Sequence, residues 1–93
     1  MRITNKQLEN KIELLNKITN SPSTPYTMTN GRLEANANNY HLAGAYGGVT
    51  VHRMANSGGG VYTPFGCGYV TKKELYIRLT SFIDGYELAK EST

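Results

Sequence analysis

Hydrophobic residues recur at helical spacing near both ends of the chain and alternate with polar residues in the middle. The first helical stripe consists of four aliphatic residues spaced three or four apart: Leu8, Ile12, Leu15 and Ile18. Before it, Thr4 and Gln7 have the spacing of a capping box, in which each side chain satisfies a backbone N–H of the other residue. Asn20 and Pro22 then disfavour continuation of the helix. The pattern predicts a first helix at about 4–19.

The same start signal returns near the other end of the chain. Thr71 and Glu74 form a second predicted capping box. The residues that follow line one helical face: Leu75, Leu79, Phe82, Ile83 and Tyr86. We therefore expect a second helix that Asp84-Gly85 either ends or weakens.

Asn30-Gly31 predicts a first hairpin, because both positions tolerate the positive φ of a type I′ turn. Folding about this turn sets Thr29 opposite Arg32, and Met28 opposite Leu33. One face of the hairpin then collects four side chains and is expected to be half-buried: Tyr26, Met28, Leu33 and Ala35.

A second hairpin is predicted around Tyr46-Gly47, pairing residues 40–45 with residues 48–54. In this register Leu42 faces Val51 on one side of the sheet, and His41 faces His52 on the other. The helices need an apolar surface, which the side of Leu42 offers, so we expect the histidine side to be less covered.

A short last strand is predicted at Gly60–Phe65, ended by Pro64. The predicted fold class is therefore α+β. An N-terminal helix precedes an antiparallel sheet of three to five strands built from two hairpins. A C-terminal helix follows, and both helices lie on one sheet face.

Composition places these elements in a single domain, residues 1–93. Apolar residues are 39% of the chain, and seven tyrosines stand beside two phenylalanines and no tryptophan. A core of this kind is modest, so self-association into a homo-oligomer is a hypothesis. The single cysteine fits a reducing compartment, and no apolar run approaches the length of a membrane span. We expect a cytoplasmic protein with no membrane partner.

Catalytic and metal-binding chemistry has few candidate residues. His41, His52 and Cys67 could ligate a metal ion, or Cys67 could act as a nucleophile with a histidine base. No CxxC or HxxxH spacing supports a metal site, and the glycine-rich stretches match no phosphate-binding loop. The prediction is therefore a protein that is not an enzyme and has no cofactor, with a Cys/His enzyme or metal site as the lowest-ranked alternative.

Lys72 and Lys73 occupy the predicted first turn of the second helix, where the helix dipole favours anions. Two lysines there favour a phosphate or carboxylate ligand. The order of elements, with Gly66-x-Gly68-x-x-Thr71-Lys72-Lys73 opening the last helix, resembles double-stranded-RNA-binding domains over residues 4–88. The resemblance implies lysine contacts to phosphates across a groove. A nucleic-acid or nucleotide partner is thus the alternative function, with the net charge of +3 permitting a polyanion.

A second resemblance rests on residues 39–48, Asn-Tyr-His-Leu-Ala-Gly-Ala-Tyr-Gly-Gly, and on His52-Arg53-Met54. With the segments at 21–26 and 73–76, these are similar to a family of small uncharacterised bacteriophage and prophage proteins. The resemblance implies a phage-encoded accessory protein in the host cytoplasm, one that binds and inhibits a host protein of defence or nucleic-acid processing.

Tyrosine supports a binding role, because it gives a large amphipathic contact area at small entropic cost. The predicted binding surface combines the hairpin at 40–54 with the loop and helix start at Gly58–Lys73. Its residues are His41, Tyr46, Gly47, Gly48, His52, Arg53, Tyr69, Lys72 and Lys73.

Overall fold

The computed structural model describes residues 2–65 and 68–91, and the elements within them follow the predicted order. The two helices are α1, Asn5–Ile18, and α2, Lys72–Glu91. The five strands are β1, Tyr26–Thr29; β2, Arg32–Ala35; β3, Tyr40–Ala45; β4, Gly48–Met54; and β5, Val61–Tyr62. The α+β fold class is confirmed.

The predicted capping box at the start of α1 is present with both of its bonds. The backbone N–H of Gln7 donates to Thr4 Oγ1 at 3.2 Å, and Gln7 Oε1 accepts from the backbone N–H of Thr4 at 2.8 Å. At the other end, Asn20 takes a left-handed φ of 57° just beyond the C-cap Thr19. Asn20 therefore stops α1 as predicted.

The N-terminus of α2 shows one of the two predicted capping bonds. The backbone N–H of Glu74 donates to Thr71 Oγ1 at 3.1 Å, while the Glu74 carboxylate lies 3.9 Å from the Arg78 guanidinium. The helix runs through Gly85 to Glu91, so Asp84-Gly85 does not end it.

Both hairpins have the predicted register. Met28 pairs with Leu33 in the first, and Leu42 with Val51 in the second. Both turns have positive φ at their two central residues: 51° and 75° at Asn30-Gly31, and 53° and 75° at Tyr46-Gly47. These angles are those of type I′ turns, whose twist matches that of the flanking strands.

The prediction of one continuous sheet is wrong, because the two hairpins belong to separate sheets. Strands β1 and β2 pair only with each other, whereas β3, β4 and β5 form a sheet in that order. The apolar face of the first hairpin is consequently exposed rather than half-buried: Met28 is 65% exposed, Leu33 63% and Tyr26 44%. Of the predicted face only Ala35 is buried.

The core lies between the helices and one face of the three-stranded sheet, as predicted. Helix α1 packs on α2 and on β3, and α2 packs on β4. The buried core residues are Ile3, Leu8, Ile12, Leu15, Tyr40, Val49, Val51, Leu75, Leu79 and Ile83. Leu42 is partly buried against them. Among the described helices, none combines the length and hydropathy needed to cross a membrane.

Candidate functional site

The candidate site lies on the sheet face that points away from the helices. Strand alternation places His41 of β3 and His52 of β4 directly opposite each other on this face. Beside them runs the segment that leads into α2, in which Val70 forms an antiparallel bridge with Val49. Because Val70 packs on the core side, the neighbouring Tyr69 points to the histidine side.

Four rings follow one another on this face, and we call them the aromatic row: His41, His52, Tyr69 and Tyr46. The ring centroids of His41 and His52 are 5.7 Å apart at an interplanar angle of 87°. Those of His52 and Tyr69 are 6.4 Å apart, and those of Tyr69 and Tyr46 are 5.6 Å apart, both at 70°. All three contacts have the edge-to-face geometry that aromatic quadrupoles favour. The predicted pairing of His41 with His52 is confirmed, and the structure adds Tyr69 and Tyr46 to it, which the sequence predicted only as separate members of a surface.

Gly48 allows the row to form. A Cβ atom at this position would lie 3.0 Å from the carbonyl oxygen of Val70 and 3.1 Å from the backbone carbon of Tyr69. Its absence lets the segment containing Tyr69 approach β4, where Val49 and Val70 exchange two backbone hydrogen bonds of 2.8 Å. Gly47 has a different role, since its φ of 75° completes the turn.

Tyr46 occupies an unusual position for a tyrosine. Its φ of 53° lies in the left-handed region, which costs an ordinary residue roughly 1–2 kcal/mol. The side chain is 95% exposed, so burial offsets little of this cost. The equivalent position of the first hairpin holds Asn30, a residue that tolerates this conformation. Apart from the ring contact with Tyr69, the fold therefore offers little to favour a tyrosine over asparagine at this position.

The environment of His41 disfavours its charged form. Burial lowers the pKa of the His41 imidazole below its usual value, and the neighbouring His52 lowers it further. His41 Nδ1 lies 3.3 Å from Asn39 Oδ1, a hydrogen-bond partner that orients the ring. His41 is thus held in its neutral form near physiological pH.

Lys72 and Lys73 are exposed in the first turn of α2. Lys72 follows Tyr69 by three residues, so their Cα atoms are within about 11 Å of each other. Lys72 and Lys73 thus lie near Tyr69 along the chain and take no part in the three ring contacts of the row.

Arg53 does not join the row, although it was predicted on the same surface as His52. Neighbouring strand residues point to opposite faces, so Arg53 lies on the helix side, with its guanidinium carbon 4.8 Å from the ring centroid of Tyr40. Its guanidinium also donates to Tyr62 Oη at 3.2 Å and to the Asn38 carbonyl oxygen at 3.4 Å. Burial raises the pKa of the Tyr40 phenol, and Arg53 partly opposes that shift. These contacts give Arg53 a structural role.

The histidine face is less open than predicted. Thr50 and Met54 point to the same side as His52, yet each is only 1% exposed. Thr50 Oγ1 is buried without a hydrogen-bond partner in the described part of the chain. The accessible part of the face is accordingly the aromatic row together with Ala43 and Ala45.

The structure adds one residue that the sequence reasoning missed. Asn16 is 3% exposed, and its side-chain amide bonds both backbone groups of Tyr40: Nδ2 donates to the carbonyl at 2.9 Å, and Oδ1 accepts from the N–H at 2.8 Å. A signal existed, because Asn16 follows Ile12 by four residues and so extends the buried face of α1 with a polar group.

Residues 2–65 and 68–91 hold no group of three His, Cys, Asp or Glu side chains arranged to bind a metal ion. Cys67, the predicted alternative nucleophile or ligand, lies outside the described residues. The two histidines of the row therefore have no third ligand in the part of the chain that the structure describes.

Comparison with known proteins found no family model, no curated protein and no solved structure that matches the chain.

Proposed function

We propose that this chain is a non-catalytic binding protein that engages a partner protein through the aromatic row. The observation that carries the proposal is Tyr46, a 95% exposed ring on a left-handed backbone position. A surface residue held at an energetic cost without a packing gain is typical of functional sites.

The chemistry of the row suits a protein interface. Tyrosine rings supply apolar contact area and a hydroxyl, and they are enriched where proteins meet. The ring of Tyr69 packs between those of His52 and Tyr46, which limits its motion before a partner arrives. Less conformational entropy is lost when such preorganised side chains bind.

The identity of the partner rests on the resemblance to phage proteins. We propose that the chain acts in the host cytoplasm on a host protein of defence or nucleic-acid processing, and inhibits or modulates it. The row, at the tip and outer face of the second hairpin, would be the inhibitory surface.

Affinity capture from a bacterial host lysate tests this proposal. The wild-type chain is expected to retain a defined host protein, and Tyr46→Asn to lose most of it, because the substitution removes the exposed ring but keeps the turn. Tyr26→Asn is the matched control, since Tyr26 is also exposed but lies on the first hairpin. Equal capture by all three proteins would refute a role for the row.

A polyanion is the second candidate partner, and the position of Lys72 and Lys73 favours it. Both lysines lie in the first turn of α2, where the helix N-terminus presents backbone N–H groups. Tyr69, whose ring could stack on a base, precedes them by three and four residues. If this candidate is right, binding of labelled double-stranded RNA or single-stranded DNA should weaken steeply with salt. Lys72→Glu with Lys73→Glu should then weaken binding, whereas the exposed pair Lys6→Glu with Lys17→Glu, on α1, should matter less. Equal losses from both pairs would indicate unspecific attraction.

A further inference from the structure

One edge of the three-stranded sheet is open. Strand β3 pairs with β4 on one side, and no described strand pairs with its other side. In a two-residue hairpin the pair flanking the turn, Ala45 and Gly48, is hydrogen-bonded, and bonded pairs then alternate along the strands. The backbone groups of Leu42 and Gly44 therefore point outward from the sheet.

Two contacts confirm this alternation. Tyr40, two residues before Leu42, also points outward, and its N–H and C=O are bonded by the Asn16 side chain. Val49, the partner of Gly44, turns its own backbone groups away from β3 and toward Val70. Asn16 thus occupies the open edge only at Tyr40, and the edge groups of Leu42 and Gly44 have no partner among the described residues.

This part of the edge lacks the features that usually prevent strand addition. The side chains of residues 42–44 are Leu, Ala and Gly, with no charge and no proline. Gly44 leaves space above the strand, since a Cβ there would meet only the Gly48 carbonyl oxygen, at 3.6 Å. Residues 42–44 therefore present no charged or cyclic side chain to an added strand.

A cavity of about 400 Å³ adjoins the edge. It lies between α1, residues 23–25 and the start of β3, and its lining includes Ile12, Leu42 and two carboxylates, Glu9 and Glu13. Among the described residues, no lysine or arginine lines it. Neither glutamate has an ion pair within 4 Å among the described residues, and their i,i+4 spacing on α1 makes the two like charges repel.

We propose that the open edge of β3 and this cavity form a docking site for an extended segment of a partner protein that carries lysine or arginine. The segment pairs with the backbone of Leu42 and Gly44 as an added strand, and its basic side chain enters the cavity between Glu9 and Glu13. This site lies at the strand edge and is distinct from the aromatic row, although His41 adjoins both.

The charges of Glu9 and Glu13 favour a segment of another protein over a second copy of this chain as the occupant of the site. Antiparallel pairing of two β3 edges through Leu42 and Gly44 would set the end of one β3 beside the cavity at the start of the other. Residues 40–47 contain no lysine or arginine, so a second copy would leave Glu9 and Glu13 without a cation from this strand. A basic segment instead neutralises two carboxylates that the described fold leaves unpaired.

Selection from a displayed library of random twelve-residue peptides tests the site without assuming a sequence. We expect the enriched peptides to contain lysine or arginine flanked by residues that favour strands. Their binding should slow hydrogen exchange at the amides of Leu42 and Gly44. Enrichment of peptides without a basic residue, or exchange unchanged at both amides, would overturn the proposal.

Charge-neutral variants give the second measurement. Glu9→Gln with Glu13→Gln should weaken the selected peptides roughly five-fold, because each exposed charge contact contributes a fraction of a kcal/mol. The control pair is Glu34→Gln with Glu87→Gln, which removes the same charge elsewhere and should leave binding unchanged. An equal loss from both pairs would also overturn the proposal, as would protection of Leu42 and Gly44 that rises with protein concentration when no peptide is present. Tyr46→Asn should not affect peptide binding, so failure here is separable from failure at the aromatic row.

Discussion

At the scale of single residues, the two turns of this chain form a natural comparison. Asn30-Gly31 and Tyr46-Gly47 have nearly identical φ values, yet one carries the residue expected for the geometry and the other does not. Sequence reasoning identified both turns, and could name Tyr46 as exposed. The predicted register already implied a two-residue turn, and the structure shows that Tyr46 takes the left-handed φ that such a turn requires at its first central residue.

Replacing Tyr46 with asparagine should leave the fold at least as stable as before. Asparagine tolerates the left-handed φ better than tyrosine, which should raise the free energy of unfolding by roughly 1 kcal/mol. Loss of the exposed ring contact with Tyr69 cancels part of this gain. We expect a net stabilisation of about 0.5 kcal/mol, a rise in Tm of about 2–4 °C. Thermal unfolding followed by circular dichroism measures it. The reverse change, Asn30→Tyr, should lower Tm; a lower Tm for Tyr46→Asn would mean that the ring stabilises the fold.

At the scale of elements, the two hairpins differ in what supports them. The second hairpin lies against both helices, whereas the first buries only Ala35 among its eight strand residues. The register of the first hairpin was predictable from its turn and alternation. Its exposure was not, because alternation identifies which side chains share a face but does not say whether another element covers that face.

The first hairpin should open far more readily than the second. Two strands without a covered face are marginally stable, so local opening does not require the core to unfold. Hydrogen exchange at the bonded amides of β1 and β2 should be at least about tenfold faster than at those of β3 and β4. Exchange measured by NMR at neutral pH tests this; equal protection in both hairpins would mean that the first is stabilised by contacts beyond those described.

Contact between β4 and the segment before α2 depends on Gly48. In Gly48→Ala the new methyl group would meet backbone atoms of Tyr69 and Val70 at 3.0–3.1 Å, and the backbone yields less easily than a side-chain end. We expect destabilisation of about 1–3 kcal/mol, as for overpacked sites, measured by urea unfolding. Gly44→Ala is the control on the paired strand, where the nearest atom is at 3.6 Å. A neutral Gly48→Ala would show that the segment shifts freely.

At the scale of the whole molecule, the packing of both helices on one sheet face follows from the sequence pattern, and the division into two sheets does not. The apolar stripes of α1 and α2 must pack against an apolar surface, and the Leu42–Val51 side of the second hairpin provides one. Their arrangement was therefore predictable. The aromatic row combines strand residues with Tyr69 from an irregular segment. Its position depends on the Val49–Val70 bridge, a contact between residues 21 apart that no local pattern signals.

Stability of the whole molecule should fall as the pH decreases below about 6.5. The pKa of His41 is lower in the folded state than in the unfolded chain, so the unfolded chain binds the proton more readily. Stability is therefore highest at pH values above the pKa of His41 in the unfolded chain, and it is lost as the pH falls below that pKa. Urea unfolding at pH 7.5, 6.5 and 5.5 should show a progressive decrease. His41→Gln should flatten this dependence; an unchanged slope would assign it to other groups.

The chain enters and leaves the first hairpin at nearly the same point, since the backbone N–H of Asn36 donates to the carbonyl of Pro25 at 2.8 Å. The segment between these two residues can therefore change in length without displacing the core. Related chains should therefore vary most in size here, and an engineer could exchange residues 27–34 for a short turn or a foreign epitope. The projecting hairpin is in this sense a natural insertion point, separable from the body that holds both proposed binding surfaces.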